Sequence, residues 1–248
     1  MDAPALALLG VVVGVLLWRA LTRERREYGR FKRLRSTVAR QKVYRRWLIE
    51  GALALGGLSL ATIVGAWPQI SPVLVAAQRW EPIAAMRAFL ASDVGLAVAV
   101  AAAVVVLAGL VVPVVLLRRS LDEAPAIGDI RALLPRTRGE LPYGAGLSVS
   151  AGVFEELLFR LGLPALGFAV TGDAVVAFLG ATLLFGVLHV YQGPLGILFS
   201  TVLGAVFVAL YLVTGSILVP IVLHVVIDLR SMVLIPIALG RVLNPREA

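Results

Sequence analysis

Apolar runs long enough to cross a bilayer recur along this 248-residue chain. A spanning helix needs about 20 predominantly apolar residues, within a range of about 17–25. Residues 3–18, 47–67, 94–117, 143–170, 174–190, 194–213 and 216–240 meet or approach that length. Backbone polar groups inside lipid must be satisfied within each segment, so such runs fold as helices. The expected fold class is all-α, a polytopic membrane helix bundle of about seven transmembrane helices. Composition agrees: 60% of the residues are hydrophobic and 15% charged, against about 45–50% and 25% in soluble domains. Cysteine is absent, which excludes disulfide frameworks, thiolate metal sites and thiol nucleophiles.

The net charge of +8 is concentrated in residues 19–46, where twelve Arg and Lys face only Glu24 and Glu27. Basic loops stay cytoplasmic, so this segment is expected inside, with the N-terminus outside. Residues 118–142, with five arginines, then fall inside, and so does the C-terminus with Arg241 and Arg246. Only Lys32 and Lys42 among the basic residues are lysine, in a chain rich in Ala, Val, Leu and Gly. That bias suggests a GC-rich bacterial genome, hence the bacterial inner (plasma) membrane. The basic segment reads either as an amphipathic helix on the anionic leaflet, with Tyr28, Phe31, Leu34, Val38 and Tyr44 touching lipid, or as a solvated loop that fixes topology. No nucleic-acid reading motif accompanies the charge, so the expected partner is the lipid bilayer and not a nucleic acid. Glu50, near the start of its span, is expected to snorkel to the interface.

The character of the spans changes near Tyr143. Residues 1–142 read as an N-terminal membrane region and 143–248 as the functional core, in the last four spans. That core places Glu155, Glu156, Arg160, His189, His224, Asp228 and Arg230 inside apolar segments. Each charge at membrane depth costs about 2.5–3.5 kcal/mol, and together they would cost on the order of 15–20 kcal/mol. A stable protein must gather them around a shared, hydrated cavity.

Their spacing supports convergence. Glu156 and Arg160 are neighbours on one helix face, positioned for an ion pair, and Glu155 is rotated from Glu156 by about 100°. Gly144, Ser148 and Gly152 form a ridge of small residues in line with Glu156, which lets another membrane helix approach closely. Glu156 with Arg160 is therefore expected to brace the packed face and leave Glu155 to the cavity. His224 and Asp228 share a face in the same way, as do Phe185 and His189. A carboxylate beside an imidazole can take a proton from water, and a second imidazole can stabilise an oxyanion. At 1.5 Å per residue the two histidines differ by roughly 8–10 Å in expected depth, a gap that tilt or a deeper start after Pro220 must close.

Glu155-Glu156-Leu-Leu-Phe-Arg160, Phe185-Gly-Val-Leu-His189 and His224-Val-Val-Ile-Asp228 resemble the ordered motifs EExxxR, FxxxH and HxxxN/D of the CPBP family (CAAX proteases and bacteriocin-processing enzymes). The lead-in Thr214-Gly-Ser-Ile-Leu-Val-Pro220 is similar too, and the resemblance spans about residues 149–240. It implies an intramembrane endopeptidase related to the type II CAAX prenyl endopeptidases. In that family the residues matching Glu155 and His189 activate the attacking water, and those matching His224 and Asp228 stabilise the oxyanion. Glu156 and Arg160 are assigned support. Asp228 departs from the asparagine of the prenyl proteases; an ionised aspartate would repel an oxyanion, so it acts protonated or by orienting His224.

Glu155, His189 and His224 could also hold a divalent metal such as zinc. No HExxH-like pair puts two ligands on one helix, and glutamate-activated water needs no metal, so the expected activity is glutamic-type and cofactor-free. The rival readings are a non-catalytic bacteriocin-immunity or partner-binding scaffold, which would tolerate loss of Glu155, and an ion or proton carrier. The expected substrate is a membrane-anchored protein or peptide, such as a CAAX-like sequence, a leader or a C-terminal anchor signal. Phe185 is expected to pack, Asp173 to cap a helix, and Arg230 either to snorkel or to bind a substrate carboxylate.

Overall fold

A computed structural model describes residues 2–116 and 128–239. Leu117, Gly240 and the arginines Arg118, Arg119, Arg241 and Arg246, expected from sequence to be cytoplasmic, lie outside the described residues. Among those described, regular structure is helical throughout. Helices α1 (Ala3–Phe31) and α2 (Thr37–Gly65) form an N-terminal pair. Two short helices, α3 (Trp67–Gln78) and α4 (Glu81–Leu90), lead into α5 (Asp93–Leu116). Next come α6 (Leu141–Glu156), α7 (Leu163–Thr171), α8 (Ala174–Leu188), α9 (Gly193–Thr214) and α10 (Leu218–Ala238).

Among the described residues, five continuous helical stretches have the length and hydropathy to cross a bilayer, α1, α2, α5, the combined Ala174–Thr214 and α10, so the expected count of seven is not confirmed. The differences have local causes. Ala174–Thr214 is bent into two arms by a 3-10 turn at His189–Gln192 and by Gly193 at φ 81°. The arms meet closely, since a Cβ on Gly186 would strike Thr201 Oγ1. Helices α6 and α7 run as one rod through a π-helical turn, Leu157–Gly162, but this rod carries Glu155, Glu156 and Arg160. Further π-helical turns interrupt α1 at Arg19–Glu24, α2 at Ala52–Gly56 and α10 at Arg230–Leu234.

Residues 19–46 are neither a solvated loop nor a helix lying on lipid. Helix α1 continues to Phe31 and α2 begins at Thr37, so the basic segment is the tip of a helical hairpin. Tyr28, Phe31 and Tyr44 are buried against Trp47, Leu133, Tyr143 and Tyr191 and do not reach lipid, while Val38 is exposed. Burying each such ring contributes about 1.5–3 kcal/mol, which explains why the aromatic residues turn inward and the arginines between them outward. Arg40 is the exception. It is fully buried, with Nε on both oxygens of Glu140 at 3.0 and 3.1 Å, Nη1 on Ala132 O, and Nη2 on Leu134 O and Tyr44 Oη. Glu50 pairs with Arg23 across the hairpin at 2.6 Å.

The N-terminal pair also completes the core of the C-terminal helices. Val12 and Leu16 of α1 pack with Leu158, Phe159 and Phe185, and Ala5 and Val73 with Leu166, Phe178 and Tyr211. By contrast α5 buries only Gly95 and Val114. Arg230 Nε donates to Leu110 O of α5 at 2.7 Å, three residues before Pro113. This bond ties α10 to α5.

Candidate active site

The small-residue ridge of α6 sets the geometry. Gly144, Ser148, Gly152 and Glu156 are all buried, and a Cβ on Gly152 would lie 2.5 Å from Val225 Cγ2. Contact this close brings α10 against α6 one residue from His224, and His224 Nδ1 meets Glu156 Oε1 at 2.7 Å. The second oxygen of Glu156 lies 3.1 Å from Arg160 Nε. Glu156 therefore does more than brace a packing face: it holds His224 by one ring nitrogen and leaves Nε2 facing the other carboxylates. Glu155 Oε2 is 4.0 Å from that nitrogen and Asp228 Oδ2 is 3.7 Å from it.

Arg160 lies at the base of the site. Its guanidinium sits 4.6 Å from the Phe185 ring centre and 5.3 Å from that of Phe207, and Nη2 donates to Gly204 O. Phe207 in turn stacks on His224 at 5.0 Å. Sequence reading missed Phe207, because an aromatic residue in an apolar helix gives no sign of what it faces.

His189 ends α8. Its Nδ1–H donates to the Phe185 carbonyl at 2.8 Å, so neutral His189 keeps Nε2 as a free acceptor. The four-residue spacing from Phe185 to His189 has this physical basis: the imidazole caps the carbonyl one turn back. The Phe185 ring, packed on Phe159 as expected of a core residue, lies 4.7 Å from His189 and 6.4 Å from His224. The expected depth gap between the histidines is closed because α8, with 15 residues, is only about 22 Å long. Asp173 caps the other end of α8 through bonds from Val175 and Val176 N–H.

A cavity of about 150 Å3 opens beside these groups, with Glu155, His189 and Tyr191 on one side and Leu16, Arg19 and Glu24 of α1 on the other. The Glu155 side chain is 20% exposed whereas that of Glu156 is 0%. The adjacent carboxylates thus differ in access: Glu155 reaches the cavity and Glu156 does not. Tyr191 and the α1 residues were not singled out from sequence. Arg19 and Glu24 had been read only as topology charges. Among the described residues no three His, Asp or Glu side chains are grouped to hold a metal ion.

Fold and site together define a helical integral membrane protein with a polar, half-enclosed centre inside its bundle. Residues 137–230 match the family model described as type II CAAX prenyl endopeptidase Rce1-like. The match takes in all three motifs and supports a CAAX-type intramembrane endopeptidase acting on a membrane-associated protein or peptide. No curated protein and no solved structure gives a significant match to the chain.

Proposed function

We propose that this protein is a glutamic-type intramembrane endopeptidase of a bacterial inner membrane, with its N-terminus outside and its C-terminus in the cytoplasm. Its substrate is a membrane-anchored peptide segment, and the attacking water is activated without a metal. Glu155, the carboxylate with access to the cavity, takes a proton from that water, while His189 Nε2 accepts its second hydrogen bond and aims it. The water oxygen adds to the scissile carbonyl carbon. His224 acts as the imidazolium: its Nδ1–H is held by Glu156 Oε1, which leaves Nε2–H to turn to the developing oxyanion. Collapse breaks the C–N bond, and the proton held on Glu155 passes to the leaving amine.

Asp228, 3.7 Å from His224 Nε2, positions that ring from the opposite side to Glu156. The observation that carries this reading is the single cavity shared by Glu155 and His189, beside a histidine already fixed by a buried carboxylate. The test compares protein termini, by mass spectrometry of membrane and secreted fractions, in host cells carrying wild-type or Glu155→Gln protein at equal expression. Termini present only with the wild type are expected. Identical termini across growth conditions would move the assignment to the non-catalytic scaffold.

A further inference from the structure

The wall of the cavity opposite Glu155 is built by a defect in α1. Arg19 and Glu24 stand five residues apart, which in a regular α-helix would place them about 140° apart. The π-helical turn Arg19–Glu24 closes its hydrogen bonds over five residues instead. It thereby sets the two side chains together at the cavity. The turn also packs against the His189–Gln192 bend, and Arg19 lines the same cavity as Glu155 and His189.

Arg19 and Glu24 are not a well-made pair. Arg19 Nε and Nη2 both approach the same oxygen, Glu24 Oε1, at 3.4 and 3.3 Å. A carboxylate that fits a guanidinium takes two parallel bonds at about 2.7–2.9 Å. Here two long contacts converge on one oxygen and leave the parallel two-oxygen grip unmade, in a site where the Arg19 side chain is only 16% exposed. Arg19 is also the one Arg or Lys among the described residues on the wall of this cavity. Leu16 and Leu55 flank it with apolar surface, suited to the side chains of a hydrophobic peptide.

We propose that Arg19 is the substrate-anion receptor of this cavity: it takes a carboxylate of the bound peptide in a bidentate grip, displacing Glu24, which holds the guanidinium in place when the cavity is empty. The inference rests on the endopeptidase reading for its substrate and not for its geometry. It makes Arg19 a substrate-positioning and specificity residue supplied by the N-terminal region. Two sources can provide the anion, the C-terminal carboxylate of the peptide or an acidic side chain.

Binding of three peptides to full-length Glu155→Gln protein in nanodiscs, read by intrinsic fluorescence or calorimetry, tests it without requiring cleavage. The probes are acetyl-Leu-Leu-Leu as free acid, the same peptide as amide, and acetyl-Leu-Glu-Leu amide. A free acid bound at least about tenfold more tightly than its amide identifies a C-terminal carboxylate, the gain expected of a charged hydrogen-bonded pair. Preference for the Glu-containing amide over the plain amide identifies a side-chain carboxylate. Arg19→Gln should erase either preference, Arg19→Lys should restore part of it, and Glu24→Gln should tighten binding of the anionic peptide. Equal binding of all three peptides, no binding of any, or a preference that survives Arg19→Gln overturns the proposal. If Arg19→Gln does not fold, the direction of the Glu24→Gln effect decides. An anion preference in a wild-type protein that cleaves nothing would leave the receptor standing and remove the protease.

Discussion

Among the described residues two arginine–glutamate pairs are fully buried, and they are built to opposite specifications. Around Arg40 every side-chain nitrogen finds an acceptor: both oxygens of Glu140, two backbone carbonyls and the Tyr44 hydroxyl. Glu140 also accepts from Arg136 N–H. Around Arg160, Nε and Nη1 lack hydrogen-bond partners, as does Glu156 Oε2, although the charges lie 3.1 Å apart. The other oxygen of Glu156, Oε1, is bonded to His224. A saturated cluster fixes one arrangement of the chain, whereas an unsaturated one keeps its electrostatic influence directed at the neighbouring groups. The first fastens the basic hairpin to the entry of α6, and the second lies under the site.

The largest effect that separates the two is on turnover. Glu155→Gln is expected to lower cleavage of an identified substrate by about 100- to 10,000-fold with unchanged thermal unfolding in detergent. Full cleavage by this variant would reassign the base. Glu140→Gln should do the reverse. It leaves Arg40 buried without its counter-charge and costs about 3–5 kcal/mol of stability, measured by denaturant unfolding, while each folded molecule keeps its activity.

Glu156→Gln belongs between them. It weakens the hold on His224 and should reduce kcat roughly ten- to hundredfold, with a smaller loss of stability than Glu140→Gln. A stability loss equal to that of Glu140→Gln with normal kcat would make both pairs architectural. Phe207→Leu should cost about 1 kcal/mol by removing the stack on His224 and one face of the cage around Arg160. It should appear in kcat before KM. Smallest of all, Arg230→Gln should loosen α5, detectable as faster amide exchange near Leu110, with cleavage unaffected.

The same contrast explains what could be read from sequence. The ion pair of Glu156 with Arg160, the close face of Gly144, Ser148 and Gly152, and the cap at Asp173 depend on one helix and its local spacing, which the chain states directly. His224 bonding to Glu156 depends on two helices, and nothing in either segment announces it. Arg40 was hidden for another reason: it is one of twelve cations in its segment, and charge counting treats them alike. The break between the spans 174–190 and 194–213 was legible, because polar Gln192 with Gly193 and Pro194 interrupts the apolar run where the structure has its 3-10 turn and a positive-φ glycine. Arg19 escaped notice because an α-helical wheel places it away from Glu24.

That wheel fails at several points. A π-helical turn amounts to a single extra residue in a helical rod, and everything beyond it is rotated by about 100° relative to an uninterrupted helix. In α1 the residues before the turn, Val12 and Leu16, face the apolar core, and the turn itself presents charge to the cavity. One rod thus carries two faces in different phases, one for lipid-embedded packing and one for aqueous chemistry, without a break in the chain. Removing one residue from 19–24 would put the two faces back in phase, and the core and the cavity could then no longer both be lined.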